Sequence, residues 1–142
     1  MAAQRFRTAA DGDIDRNKTI RFSFDGKIYE GCDGDTLASA LMANGVRVLG
    51  RSFKYHRPRG LFAMGPEEPN ALVTVRQGAR REPNIPATMV EIFDGLVVES
   101  QNHWPSLGFD LTRVNDLLSS VLVSGFYYKT FMWPASFWEP VY

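Results

Sequence analysis

Thiols, histidines and long apolar runs are all scarce in this sequence. One cysteine, Cys32, occurs among 142 residues, so an internal disulfide is impossible and a reducing, cytoplasmic setting is expected. A lone thiol of this kind is ordinarily a small buried hydrophobe. The two histidines, His56 and His103, have no Cys or His neighbour at metal-ligand spacing, which argues against zinc. No stretch approaches the roughly 20 apolar residues that a membrane helix needs. Met1 to Lys18 carries charges without an apolar segment, so it does not read as a secretory signal. Sixteen basic residues balance sixteen acidic ones, which leaves no global field to draw the chain to nucleic acid or to an anionic membrane. Also absent are a Gly-x-Gly-x-x-Gly turn, a Walker sequence and any local Ser-His-Asp or Cys-His signature. The sequence therefore nominates no catalytic, cofactor-binding or metal-binding residue.

What is present has the rhythm of one small α+β domain. Residues 1–17 form a polar lead-in without apolar periodicity, expected to be disordered or pinned to a partner. From Thr19, Ile20, Phe22 and Phe24 alternate with polar residues as in a half-buried strand. Asp25-Gly26 signals a two-residue hairpin, and Lys27 to Glu30 returns as the second strand, with Ile28 expected on the face of Phe22 or Phe24. A helix follows, capped by Asp33 or Asp35, with Leu37, Ala38, Ala40 and Leu41 as its buried stripe and Gly45 as its left-handed exit. Val46 to Phe53 reads as extended. Strands are expected at Ala71–Val75, with a turn at Gln77-Gly78, at Thr88–Phe93 and, after the Asp94-Gly95 turn, at Leu96–Ser100. Strand, strand, helix, then further strands is the order of a β-grasp, a mixed sheet crossed by one helix.

Two segments stand outside that core pattern. Lys54 to Asn70, with three prolines and two glycines, is a long loop of the kind that often carries function. Its first part belongs to a basic run, Arg51 to Arg59, in which aromatic residues alternate with positive charge. That run could serve a phosphate or single-strand surface, although the balanced net charge favours a plain surface loop or domain interface. Residues 101–142 form a helical and aromatic-rich extension. Leu111 to Leu122 has the spacing of an amphipathic helix with Asp110 as a possible cap, and the aromatics from Phe126 to Tyr142 are too many for so small a core, which predicts an interface. Their density does not taper toward Tyr142, as expected of a cut end.

Gly34-Asp-Thr-Leu-Ala-Ser-Ala-Leu-Met-Ala-Asn-Gly-Val46 followed by Arg51 to Phe62 resembles the ferredoxin-like subunits and domains of amino-acid-oxidising flavoprotein complexes. In those relatives a Cys-x4-Cys-x2-Cys run and a later fourth cysteine hold a [2Fe–2S] cluster. The resemblance places Ala63, Glu68 and Ala71 where the three clustered cysteines would sit, and the fourth near Asn84. None is a thiolate, which implies a β-grasp that has lost its cluster. Longer motifs narrow the likeness: Phe24-Asp-Gly-Lys-Ile-Tyr-Glu-Gly31, Gly50 to Gly60, Gly65-Pro-Glu-Glu-Pro-Asn-Ala-Leu-Val73, Gln101-Asn-His-Trp-Pro-Ser-Leu107 and Gly125-Phe-Tyr-Tyr-Lys-Thr-Phe-Met-Trp-Pro134. Together these are similar to the amino-terminal domain of the alpha subunit of heterotetrameric sarcosine oxidases, from about Ile14 to Tyr142.

That resemblance implies a structural or assembly domain, residues 18–100, whose extension leads toward a dinucleotide-binding domain beyond residue 142. It implies an oxidoreductase complex of alpha, beta, gamma and delta subunits that converts sarcosine to glycine, forms hydrogen peroxide and passes the one-carbon unit to tetrahydrofolate. NAD, FAD, FMN and tetrahydrofolate are implied for the whole complex and none for this chain. The competing expectations are an electron-transfer module binding iron through unusual ligands, a nucleic-acid module using residues 51–59, and a related complex acting on proline, hydroxyproline or opines.

Overall fold

The structure, a computed structural model, describes residues 4–9 and 12–117. Its frame is a five-stranded sheet made from β1 (Asp15–Phe24), β2 (Lys27–Asp33), β5 (Leu72–Gln77), β6 (Arg80–Pro86) and β7 (Val97–Ser100), in the order β2-β1-β7-β5-β6. β1 and β7 run parallel and the other neighbours antiparallel. One helix, α1 (Leu37–Ala43), packs on one face, and a small ribbon of β3 (Gly50–Arg51) and β4 (Pro58–Arg59) stands beside the sheet. This is the mixed-sheet, ferredoxin-like β-grasp that the pattern predicts.

The core follows from the two periodicities. Ile20, Phe22 and Phe24 point one way from β1, Val73 and Val75 from β5 and Val98 from β7, and all meet Leu37, Ala40 and Leu41 of α1. The opposite face carries the polar partners, with Arg76 and Arg81 both paired to Glu99 and Arg21 paired to Glu30. The Asp25-Gly26 turn has positive φ at both residues, as a two-residue hairpin requires. The Asp25 carboxylate then accepts from the Ser100 amide at 2.7 Å and the Ser100 hydroxyl at 2.5 Å, tying the hairpin tip to the end of β7. Gly45 takes the left-handed exit from α1 (φ 81°).

Several expectations are corrected. Ile28 does not share the face of Phe22 and Phe24. The two-residue turn pairs Phe24 with Lys27 and Ser23 with Ile28, which puts Ile28 outside, 73% exposed, while Tyr29 lies against Phe22 with ring centroids 6.0 Å apart. The cap of α1 is neither Asp33 nor Asp35 but Thr36, whose hydroxyl accepts from the Ser39 amide. Asp35 is instead buried, accepting from the Cys32 amide, the Ser39 hydroxyl and the Arg7 guanidinium.

Thr88 to Phe93 is not a strand. Ala87–Met89 is a 3-10 turn, and the next residues pair with the entry to α1 through the Leu37 amide to the Val90 carbonyl and the Ile92 amide to the Asp35 carbonyl. The missing strand is β6, whose charges and two prolines conceal it; an edge strand tolerates both. β1 begins at Asp15, inside the expected lead-in, because its first residues are exposed and show no alternation. Of Val46 to Phe53 only Gly50–Arg51 is strand. The segment after Asp110 is a 3-10 turn at Leu111–Arg113 leading to α2 (Val114–Leu117). The remainder of the expected helix to Leu122, and the aromatic stretch from Phe126 to Tyr142, lie outside the described residues.

Candidate functional site

The loop between β4 and β5 is organised by one buried side chain. Gly60 enters it so close to the preceding segment that a Cβ there would stand 2.5 Å from the Arg47 carbonyl oxygen. The chain passes Phe62, Ala63 and Met64, reverses at Gly65 to Glu67, and brings Glu68 back beneath itself, 2% exposed. One carboxylate oxygen, Oε2, accepts from the amides of Phe62 at 2.7 Å and Ala63 at 2.6 Å. The other, Oε1, accepts from the amides of Asn70 at 2.8 Å and Ala71 at 3.0 Å. Burial alone would raise the Glu68 carboxyl, but the four amide donors outweigh it and hold the group below the usual carboxylate range. The Thr88 hydroxyl donates to the Gly65 carbonyl at 2.7 Å, fastening the loop tip to the 3-10 turn.

Three of the positions singled out by resemblance, Ala63, Glu68 and Ala71, are therefore brought together, with the carboxylate of one bonded to the amides of the other two. Asn84 lies elsewhere, exposed on β6 at the irregularity in its pairing with β5. A [2Fe–2S] cluster does not fit these residues. It needs four soft donors around the loop, and the loop offers two methyl groups, a carboxylate already saturated by amides and a distant amide side chain. The one thiol, Cys32, is buried on β2, its Sγ 3.6 Å from the Gln4 side-chain oxygen. Among the described residues no cluster of three or more His, Cys, Asp or Glu side chains has metal-binding proximity.

The basic run has a different fate from a solvated patch. Arg51 is buried, donating through Nε and Nη2 to the Leu107 carbonyl at 3.0 and 2.8 Å and through Nη1 to the His56 carbonyl at 2.7 Å. Its Nε lies 3.6 Å from a carboxylate oxygen of Asp110. That same oxygen is 3.0 Å from His56 Nδ1. Desolvation pushes the Asp110 carboxyl up, but bonds from the Thr112 hydroxyl, the Trp104 amide and the Thr112 amide, with His56 nearby, bring it below its ordinary value. Arg57 pairs with Asp116 at 2.8 Å and covers the Tyr55 ring. Two of the run's arginines thus serve intramolecular ion pairs, which removes much of the phosphate-binding reading.

Exposed apolar side chains gather around the Glu68 loop. Phe62 and Met64 stand 78% and 96% exposed beside Phe6 and Met42. With Leu61 and Thr88 they line a groove of about 610 Å³ between the loop, α1 and the N-terminal segment. The Asp110 on which the neighbouring knot depends was legible as a cap, and it does accept from the Thr112 amide. The organising role of Glu68 was missed. Its only sequence signal is a carboxylate at a ligand position inside a Gly- and Pro-rich loop.

Sheet, helix and loop together define a class, and the chain belongs to it: the family of 2Fe-2S iron-sulfur cluster binding domains, whose pattern matches residues 17–103. Within that class it is similar to sarcosine oxidase subunit alpha from Rhizobium meliloti (strain 1021), with 58% identity over 137 residues, or 96% of this chain and 14% of that one. A second alpha subunit, from Corynebacterium sp. (strain U-96), is 47% identical over 88 residues, covering 58% of this chain and 9% of the relative. Among solved structures, L-proline dehydrogenase from P. horikoshii superposes with a TM-score of 0.51 and 30% identity over 63% of this chain and 17% of that one. The chain thus spans a small fraction of the length of each of these relatives.

Proposed function

We propose that this chain is a structural and assembly domain of a sarcosine-oxidase-like alpha subunit and that its own residues carry no chemistry. The whole complex would oxidatively demethylate sarcosine to glycine, forming hydrogen peroxide and transferring the one-carbon unit to tetrahydrofolate, with NAD, FAD and FMN bound by its other domains and subunits. Residues 18–100 form the packing core of this reading, and residues 101–142 lead into the next domain. The observation that carries it is the ring of exposed Phe6, Met42, Phe62 and Met64 around the cluster-less loop, an apolar patch of the kind that proteins reserve for interfaces. The 58% identity to an alpha subunit, of which this chain covers 14%, supports a partner in the remainder of such a polypeptide, with beta, gamma and delta subunits beyond it.

The test is made in the assembled complex. Phe62→Glu with Met64→Glu should leave the isolated 142-residue chain folded, since both side chains are solvent-facing, yet lower the yield of intact complex and its sarcosine-dependent peroxide formation together. Normal assembly in that double variant would overturn the packing role. Turnover of proline with none of sarcosine would overturn the substrate while leaving the packing role in place.

A further inference from the structure

The cluster family and the chain disagree over what fills the loop. Successive main-chain N–H groups that converge on a point form anion-binding nests, and such nests occur around iron–sulfur clusters as well as phosphates. The loop here keeps two of them, Phe62-Ala63 and Asn70-Ala71, and aims both at one carboxylate. The donors are all main-chain amides, and the acceptor is buried. Beyond these bonds the segment is held by the Thr88 hydroxyl on the Gly65 carbonyl and by Leu61 against the core. Pro58, Gly60, Gly65, Pro66 and Pro69 give it no helix or long strand, and Phe62 and Met64 point outward.

We propose that the Glu68 carboxylate is a covalently attached stand-in for the family's anionic cluster, binding the two amide nests and holding the loop closed without iron. This places a carboxylate-binding site inside the protein, filled by one of its own side chains. It accounts for a loop that keeps its length while losing its ligands. It also explains how Phe62 can be held with its side chain exposed, since its own amide is one of the four donors. The inference stands apart from the assembly reading and is measured on the 142-residue chain alone.

Glu68→Ala empties the site. Its melting temperature should fall by about 10 °C, the loss expected when two or more charge-assisted bonds are removed from a domain of this size. Added formate should then raise that melting temperature in a saturable way, because a ligand that binds only the folded state stabilises it by mass action. The unaltered chain, with its nests occupied, should show no such response. A loss of no more than about 2 °C on the same scale, or a folded variant that ignores formate, would overturn the proposal.

Should Glu68→Ala fail to fold, Glu68→Gln provides the second readout. Its amide keeps the shape but offers one acceptor oxygen to four donors. Hydrogen exchange should then accelerate at one amide pair, Phe62-Ala63 or Asn70-Ala71, with the sheet amides of β1 and β7 unchanged. Unaltered exchange at all four amides would show that the loop is held by something else.

Discussion

Arg51 and Asp110 meet 3.6 Å apart with side chains 5% and 0% exposed, joining the β3–β4 ribbon to the segment that follows β7. The guanidinium does more than balance a charge. Its fork also bridges the Leu107 and His56 carbonyls, a set of acceptors that a single ammonium cannot reach at once. Arg51→Lys is therefore expected to cost about 2 kcal/mol, and Arg51→Ala about 3–4 kcal/mol, because Asp110 loses its guanidinium partner and the Leu107 and His56 carbonyls lose their Arg51 donors. A shift of the urea midpoint at unchanged slope would measure both. Equal stability of the lysine variant would show that the fork is not needed.

Acid should act on stability through two of the buried carboxylates, Glu68 and Asp110. Glu68 and Asp110 both titrate lower in the folded chain than in the unfolded one. As pH falls, the unfolded state takes up protons before the folded state, so each group's contribution is complete above about pH 5 and is lost as pH drops through the depressed folded values. Around Asp110 the groups that matter are Arg51 and His56. Around Glu68 the donors are amides, which do not titrate. Stability measured from pH 6 downward should fall less steeply in the Glu68→Gln, Asp110→Asn double variant than in the parent. Identical slopes would remove both groups from the account.

What the sequence made legible was what local chemistry dictates. The alternation of Ile20, Phe22 and Phe24, the Asp25-Gly26 turn and the Leu37–Leu41 stripe each carry their own signal, and together they pointed to the β-grasp. β6 was hidden because an edge strand may hold arginines and prolines that would disqualify an inner one. Thr88 to Phe93 misled for the opposite reason: Thr88, Val90 and Ile92 turn inward while Met89, Glu91 and Phe93 turn outward, a strand-like alternation that makes a single bridge, Thr36 to Glu91. The lack of thiolate ligands in the loop was visible as missing cysteines. That Glu68 would gather the amides of residues on both sides of it was not, because hydrogen bonds from a loop side chain to neighbouring main-chain amides leave no periodicity.

Close approach of β2 to α1 yields a third prediction. A Cβ on Gly31 would lie 2.4 Å from Ile92 Cδ1 and 3.0 Å from Ala40 Cβ. Gly31→Ala should therefore cost about 1–3 kcal/mol by overpacking. Ile92→Val removes the clashing methyl, so the double variant should be more stable than the sum of the two single losses allows. Strict additivity in a thermal or urea series would place the strain elsewhere.

The hairpin register supports a final test. A two-residue turn at Asp25-Gly26 leaves no freedom in pairing: Phe24 must face Lys27, Ser23 must face Ile28, and Phe22 must face Tyr29. Because side chains alternate between faces, moving this pairing by one residue would exchange the whole set. Ile28 would then turn to the core face of β2 and Tyr29 would leave it. In the observed register, Ile28→Thr should change stability by no more than about 0.5 kcal/mol, as for other exposed positions, whereas Phe22→Ala should cost about 3–5 kcal/mol. The two hydrophobic residues lie on facing strands of one hairpin, so hydrophobicity alone predicts similar losses. Only the register predicts a difference of several kcal/mol, and a large loss at Ile28 would mean that β2 is paired one residue away from where the turn puts it.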